Sequence, residues 1–185
     1  SNHVLDATKA FSLTLTSQED VAGLPPSLLS LAAQAAREAG QDTATAESGP
    51  WRITLDIPSY GPFLKHSQRR DLREKLYRAY VSRASAGDLN NSPLIDKTLT
   101  LRKQQAQLLG FDTYADLSIA RKMAPSVEAV ETLMEELRSA SFDTAIKEVD
   151  DLKAFAQGQN APEAETLKQW DIPFWAERMR EKEFD

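Results

Sequence analysis

The sequence predicts a mostly α-helical protein with a small two-stranded β element at about residues 10–16 and 51–57. Three observations carry that expectation. Apolar side chains recur at spacings of three and four over most of the chain after Pro58. Two short stretches instead alternate with a period of two. Proline and glycine fall at the ends of these runs, where a missing N–H or a left-handed backbone is tolerated. Composition agrees. The 185 residues are 41% hydrophobic and 27% charged, the balance of an ordinary folded chain long enough for one sizeable domain or two small ones.

Phe11, Leu13 and Leu15 alternate with Ser12, Thr14 and Thr16, so one face of a strand meets a core. Ser17-Gln18-Glu19-Asp20 offers a capping hydroxyl followed by carboxylates and predicts a short turn of helix closed by Gly23-Leu24-Pro25-Pro26. Pro26 then suits a first helical turn, and Leu28, Leu31, Ala32, Ala35 and Ala39 hold one face until Gly40. After a polar loop and the breaker pair Gly49-Pro50, Trp51, Ile53, Leu55 and Ile57 alternate with Arg52, Thr54 and Asp56, a second strand stopped by Pro58. Two strands are marginal alone, so helices should cover them.

Helices are expected over Ser59 to about Ser67, Asp71 to Ala84, and from Ser92-Pro93 to Gly110. Thr113 should cap the next, which runs to Met123 before Pro125. Ser126 opens the longest amphipathic run, with a kink or break expected at the polar Ser139 to Ser141. Trp170 to Phe184 closes the chain, with Trp175 and Met179 four residues apart. The organisation is therefore a strand–helix–strand segment, 1–57, and a helical segment, 58–185. No repeat of 20 to 50 residues is visible, which argues against a solenoid.

Many chemistries are excluded by what is absent. There is no cysteine, hence no disulfide, thiolate zinc site or cysteine nucleophile. Mean hydropathy is −0.46 and no apolar run is long enough to span a bilayer. Residues Ser1 to Asp6 lack the basic start and apolar run of a signal peptide. His3 and His66 are the only histidines and do not form a His-x-x-x-His pair, so His66 reads as a surface or capping residue and His3 more weakly still. Ser48, in Glu47-Ser48-Gly49, lacks the flanking glycines of a nucleophile elbow, and no phosphate-cradling glycine loop exists. Asp150 with Asp151, and Glu135 with Glu136, are sequence neighbours that diverge by about 100° on a helix and read as solvated face.

One charge feature stands out. Lys65 to Arg83 carries seven cations (Lys65, Arg69, Arg70, Arg73, Lys75, Arg78 and Arg83) against Asp71 and Glu74, with Tyr77 and Tyr80 interleaved. Residues 126–185 hold 15 acidic against 7 basic side chains. The basic stretch therefore reads first as a surface face paired with the acidic C-terminal third. Contact with nucleic acid, or with acidic groups and peptide carboxylates in a channel, are the alternatives. A net charge of −6 disfavours a nucleic-acid partner, because polyanions are repelled at long range. Trp51, Trp170 and Trp175 read as core or interface packing.

Several stretches together resemble one family. Val4-Leu5-Asp6-Ala7-Thr8, Gly23-Leu24-Pro25, Ala44-Thr45-Ala46-Glu47-Ser48-Gly49-Pro50-Trp51, Ile53-Thr54-Leu55-Asp56 and Pro58-Ser59-Tyr60 are similar to the oligopeptidase A branch of the M3 zinc metallopeptidases, the thimet oligopeptidase and neurolysin group. Arg73-Glu74-Lys75-Leu76-Tyr77-Arg78-Ala79-Tyr80, Leu108-Leu109-Gly110 and Ala115-Asp116-Leu117-Ser118 extend that resemblance over nearly the whole chain. It implies an interior portion of a zinc-dependent endopeptidase that cleaves short peptides in a deep channel between two helical halves, closed to folded proteins.

In that family the region precedes a His-Glu-x-x-His helix, whose histidines and a later glutamate bind zinc while the motif glutamate activates water. No such motif occurs here. No residue is therefore assigned as catalytic, cofactor-binding or metal-binding, zinc is expected in the parent and not in this chain, and the chain alone should be inactive. The partners implied are short peptides and the missing catalytic half, with no membrane. The location implied is cytoplasmic, or organellar where a transit peptide precedes the segment. The alternative is a standalone helical interaction module derived from such a peptidase.

Overall fold

The computed structural model describes residues 2–184. Ser1 and Asp185, on which the readings of the two chain ends partly fall, lie outside the described residues. Two compact units are present, one built from the chain up to Leu89 together with Asp151 onward, the other from Asn90–Asp150.

The first unit opens with a helix absent from the sequence reading, α1 (Asn2–Ala10). Only Thr8 of its nine residues is buried, and Val4 and Leu5 stay exposed, so the helix adds little apolar surface to the core. Strand β1 (Ser12–Leu15) follows. The short helix expected after it does not form; Asp20, Ala22 and Leu24 each donate to a carbonyl three residues back, a succession of tight turns instead. Helix α2 (Pro26–Glu38) begins at the anticipated proline and buries Leu28, Ala32, Ala33 and Ala36.

Strand β2 (Trp51–Thr54) pairs antiparallel with β1, Leu13 opposite Ile53 and Leu15 opposite Trp51. This register puts all four on one buried face and leaves Ser12, Thr14, Arg52 and Thr54 on the other, as alternation requires. The strand is shorter than the expected 51–57. Thr54 N–H turns from the ladder to the Ser59 hydroxyl at 3.0 Å, and Asp56 C=O accepts from the N–H groups of Ser59 and Tyr60. Pro58 thus sits in the first turn of α3 (Ile57–His66), where its absent N–H costs nothing.

Helix α4 (Arg70–Val81) comes next, followed by a single 3₁₀ turn at Gly87–Leu89. The apolar faces of β1, β2, α2, α3 and α4 converge on one core, with Trp51, Ile53, Leu55, Phe63 and Leu76 essentially inaccessible. A fully buried side chain of this size contributes about 1.5–3 kcal/mol relative to its exposed state. The C-terminal part of this unit has its own smaller cluster around Ala156, Ala164 and Trp175. The last helix, α8 (Ile172–Phe184), starts two residues later than expected because Asp171 precedes it as a cap, its carbonyl accepting from Trp175 N–H. All three tryptophans are buried, as read.

The second unit contains α5 (Ser92–Leu108), α6 (Tyr114–Ile119) and the first part of α7 (Val127–Gly158), which continues into the first unit. Thr113 does cap α6, and with Asp116 it forms a reciprocal capping box, though the helix ends at Ile119 rather than Met123. Of the kink or break expected at Ser139 to Ser141, the break does not occur, since helix α7 runs through these residues. The Ser141 hydroxyl donates back to Leu137 C=O at 2.8 Å, so the serine satisfies itself within the helix it would have interrupted.

Candidate functional site

The basic stretch and the part of the acidic C-terminal third from Asp151 onward meet in the first unit, where α3 packs against α8 and α4 reaches the turn before it. Arg70 and Arg73 are three residues apart on α4 and so share a face. Both reach Asp171, at the mouth of α8. Arg70 donates through Nε and Nη2 to its carboxylate at 3.0 and 2.8 Å, and Arg73 Nη2 at 2.9 Å. Arg73 and Asp171 are almost wholly inaccessible, at 1% and 0% exposure, which makes this a buried ion pair.

Burial on that scale is tolerable only with every donor and acceptor engaged. The other two groups of the Arg73 fork donate to backbone carbonyls, Nε to Trp170 and Nη1 to Ser67. The second Asp171 oxygen accepts Lys168 N–H at 3.0 Å. Burial alone would raise the Asp171 carboxyl, but hydrogen bonds from Arg70, the Lys168 backbone and Arg73 outweigh it and hold it below the ordinary carboxylate value. Aromatic rings close the node. The Arg73 guanidinium lies 4.3 Å from the Phe174 centroid, and that of Arg78 5.0 Å from Trp170.

A second row of pairs runs along α8. Glu177 takes Lys65 at 3.3 Å and Arg180 at 2.5 Å, and the hydrogen bonds of Arg180, then those of Lys65, draw its carboxyl down to about 2. His66 Nδ1 accepts from Arg178 Nη2 at 3.0 Å, which places the ring proton on Nε2. Burial, then the Arg178 charge, lower the His66 imidazole below its usual value. Elsewhere in the basic stretch Arg69 pairs with Asp71 and Asp20, Arg78 with Glu74, and Arg83 bonds Tyr80 C=O and the Thr8 hydroxyl. Arg83 also lies over Tyr80, which stacks on Tyr60 with centroids 4.1 Å apart. Burial, then Tyr80, raise the Tyr60 phenol to about 12.

The reading of Lys65 to Arg83 as a surface face paired with the C-terminal third therefore holds for Lys65 and Arg70, whereas Arg73 finds its partner there but lies in the interior. What periodicity did not reveal is that Arg73 is core. Asp171 was not singled out at all; its available signal was an aspartate directly before Ile172-Pro173, the pattern of a helix start. The remaining candidates do not converge. Ser48 Oγ lies 2.8 Å from Thr45 Oγ1, a hydroxyl rather than a base. Glu135 is gripped by Arg138 on the same face of α7. Asp150 and Asp151 occupy successive positions of that helix, and His3 lies on α1, remote in sequence from His66.

A zinc ion of the kind the family resemblance implies does not fit these residues. Among the described residues no three His, Asp, Glu or Cys side chains are placed to share a metal, and His66 presents Nδ1 to a guanidinium. The arrangement instead locks together helices about 100 residues apart in sequence and orients their aromatic rings. In class, this is a helical scaffold held by a buried arginine–aspartate node.

Comparison with known proteins places that scaffold. The profile of peptidase family M3 matches residues 63–185, and the chain belongs to that family. Over its full length it is 54% identical to a probable cytosolic oligopeptidase A and 52% identical to a chloroplastic and mitochondrial oligopeptidase A, both of Arabidopsis thaliana, covering 26% and 23% of those proteins. Oligopeptidase A of Escherichia coli is 38% identical over 98% of the chain, which covers 26% of it. The chain thus spans about a quarter of the length of these relatives.

Proposed function

We propose that this chain is a non-catalytic scaffold portion of a zinc-dependent oligopeptidase that hydrolyses short peptides, the metal and the water-activating carboxylate being supplied by another part of the longer protein. The observation that carries the reading is identity of 54% across the whole chain to a relative named oligopeptidase A, only 26% of which it covers. The absence of any His-Glu-x-x-His from the sequence agrees with it. In this reading the Arg70–Arg73–Asp171 node serves the parent by fixing α4 against α8, so that the wall they form keeps its shape. The parent is cytoplasmic or, where a transit peptide precedes the segment, organellar; relatives carry names of both kinds, and no helix among the described residues is long and apolar enough to cross a membrane.

The test compares two polypeptides on an internally quenched short peptide in the presence of zinc. The 185-residue chain should give no hydrolysis above buffer, whereas the natural reading frame that contains it should hydrolyse the peptide and lose activity to a chelator. An inactive natural protein whose frame lacks His-Glu-x-x-His would replace this reading with the interaction-module one.

A further inference from the structure

Beside the node, and independent of any peptidase role, the end of α7 and one side of α8 border a cleft of about 380 Å³ within the first unit. That lies within the range of small-molecule sites, about 300–1,000 Å³. Phe155, Phe174 and Trp175 give it apolar walls; Trp175 meets Phe174 edge-on at 5.2 Å and Phe155 at 6.2 Å. Its polar lining comes from Gln159, Arg178 and Lys182. The Lys182 ammonium is 5.5 Å from the Phe155 centroid and makes no ion pair among the described residues.

The lining is rich in donors and poor in acceptors. Trp175 is more than nine-tenths buried, yet its indole N–H has no partner among the described residues, and neither has Arg178 Nε. Among the described residues Arg178 hydrogen-bonds only through Nη2, to His66 Nδ1 and to Glu181 at 2.7 Å, and its guanidinium lies 5.3 Å from the Phe174 centroid. Among the described residues Glu181 offsets one of the two cations, Arg178, and no carboxylate pairs with the other, Lys182. A buried donor left unmet costs about 1–3 kcal/mol, so a native structure calls for an acceptor near such groups. Among the lining side chains only the Gln159 carbonyl is one.

We propose that this cleft binds a small organic carboxylate with an aromatic body, its ring among Phe155, Phe174 and Trp175 and its carboxylate toward Lys182 and Arg178. Both parts are required. An inorganic anion leaves the rings unfilled, and a neutral aromatic leaves the cationic edge unmet. The carboxylate can be a free aromatic acid or the C-terminal residue of a short peptide, which present the same group.

The experiment titrates the 185-residue chain with 3-phenylpropionate, 3-phenylpropionamide and acetate by calorimetry, and follows the three tryptophan indole N–H resonances in parallel. Saturable binding of 3-phenylpropionate, with movement of the Trp175 resonance assigned through Trp175→Phe, is expected. The amide and acetate should bind at least tenfold more weakly. Lys182 is exposed, so Lys182→Gln keeps the fold and should weaken binding at least fivefold, while Lys182→Arg restores it. Equal binding of amide and acid, an unchanged affinity in Lys182→Gln, or no binding overturns the proposal. Acetyl-Gly-Phe in place of the free acid then tells which source the site prefers.

Discussion

Replacing Asp171 by alanine strips the counter-charge from a guanidinium that is 1% exposed. Arg73 keeps its bonds to Trp170 C=O and Ser67 C=O, but these are dipoles and do not neutralise it. Breaking a buried pair from one side costs about 3–5 kcal/mol, and loss of the Lys168 N–H acceptor adds to it. At a urea slope of about 2 kcal/mol/M the midpoint should fall by about 2 M. Urea unfolding followed by tryptophan fluorescence is the suitable assay, because Trp51, Trp170 and Trp175 all lie in the first unit and report on it alone. Arg70→Gln is the control. Its side chain is 38% exposed and solvent takes its place, so it should cost no more than about 1 kcal/mol. The double variant Asp171→Ala with Arg73→Met removes both charges and should be clearly more stable than Asp171→Ala alone. If Asp171→Ala costs under about 1 kcal/mol, or the double variant loses the sum of the single losses, the node does not hold α4 to α8 by charge burial.

Other outcomes follow from the same geometry. Asp171 and Glu177 titrate lower in the folded than in the unfolded chain, so their stabilisation is complete above the ordinary carboxylate values and is lost as pH falls toward 2; Glu177→Gln should flatten the urea-midpoint profile below pH 4.5. The depressed imidazole of His66 has the same sign at higher pH: stability should fall as pH drops through about 6.5, and His66→Gln should remove that step. Leu76→Ala, at a fully buried position, should cost about 2–5 kcal/mol by urea unfolding. Gly49 has φ +69°, and an added Cβ would lie 2.6 Å from the Trp51 ring, so Gly49→Ala should destabilise the first unit by more than about 1 kcal/mol. Thr113→Ala removes the capping box of α6 and should reduce the helix signal of the second unit at a cost of about 1 kcal/mol, read by circular dichroism.

The sequence by itself determined the elements whose physics is local. A period of two marked β1 and β2 because alternate side chains of a strand must face one core, and Leu13, Leu15, Trp51 and Ile53 do. Helical spacing with Pro26 at the start marked α2, and Thr113 announced α6, since caps and first turns depend on a few adjacent residues. Family resemblance was legible in the same linear text. Only tertiary structure decided the rest. Helix α1 owes its place to contacts such as Arg83 with Thr8, 75 residues apart, more than to burial of its own apolar side chains. Arg73 reads as one more cation in a basic run, and its burial follows from Asp171, 98 residues away, arriving with the carbonyls of Ser67 and Trp170 already oriented. A charge can be buried only where its partners converge, and that convergence is a property of the packed chain, absent from any window of its sequence.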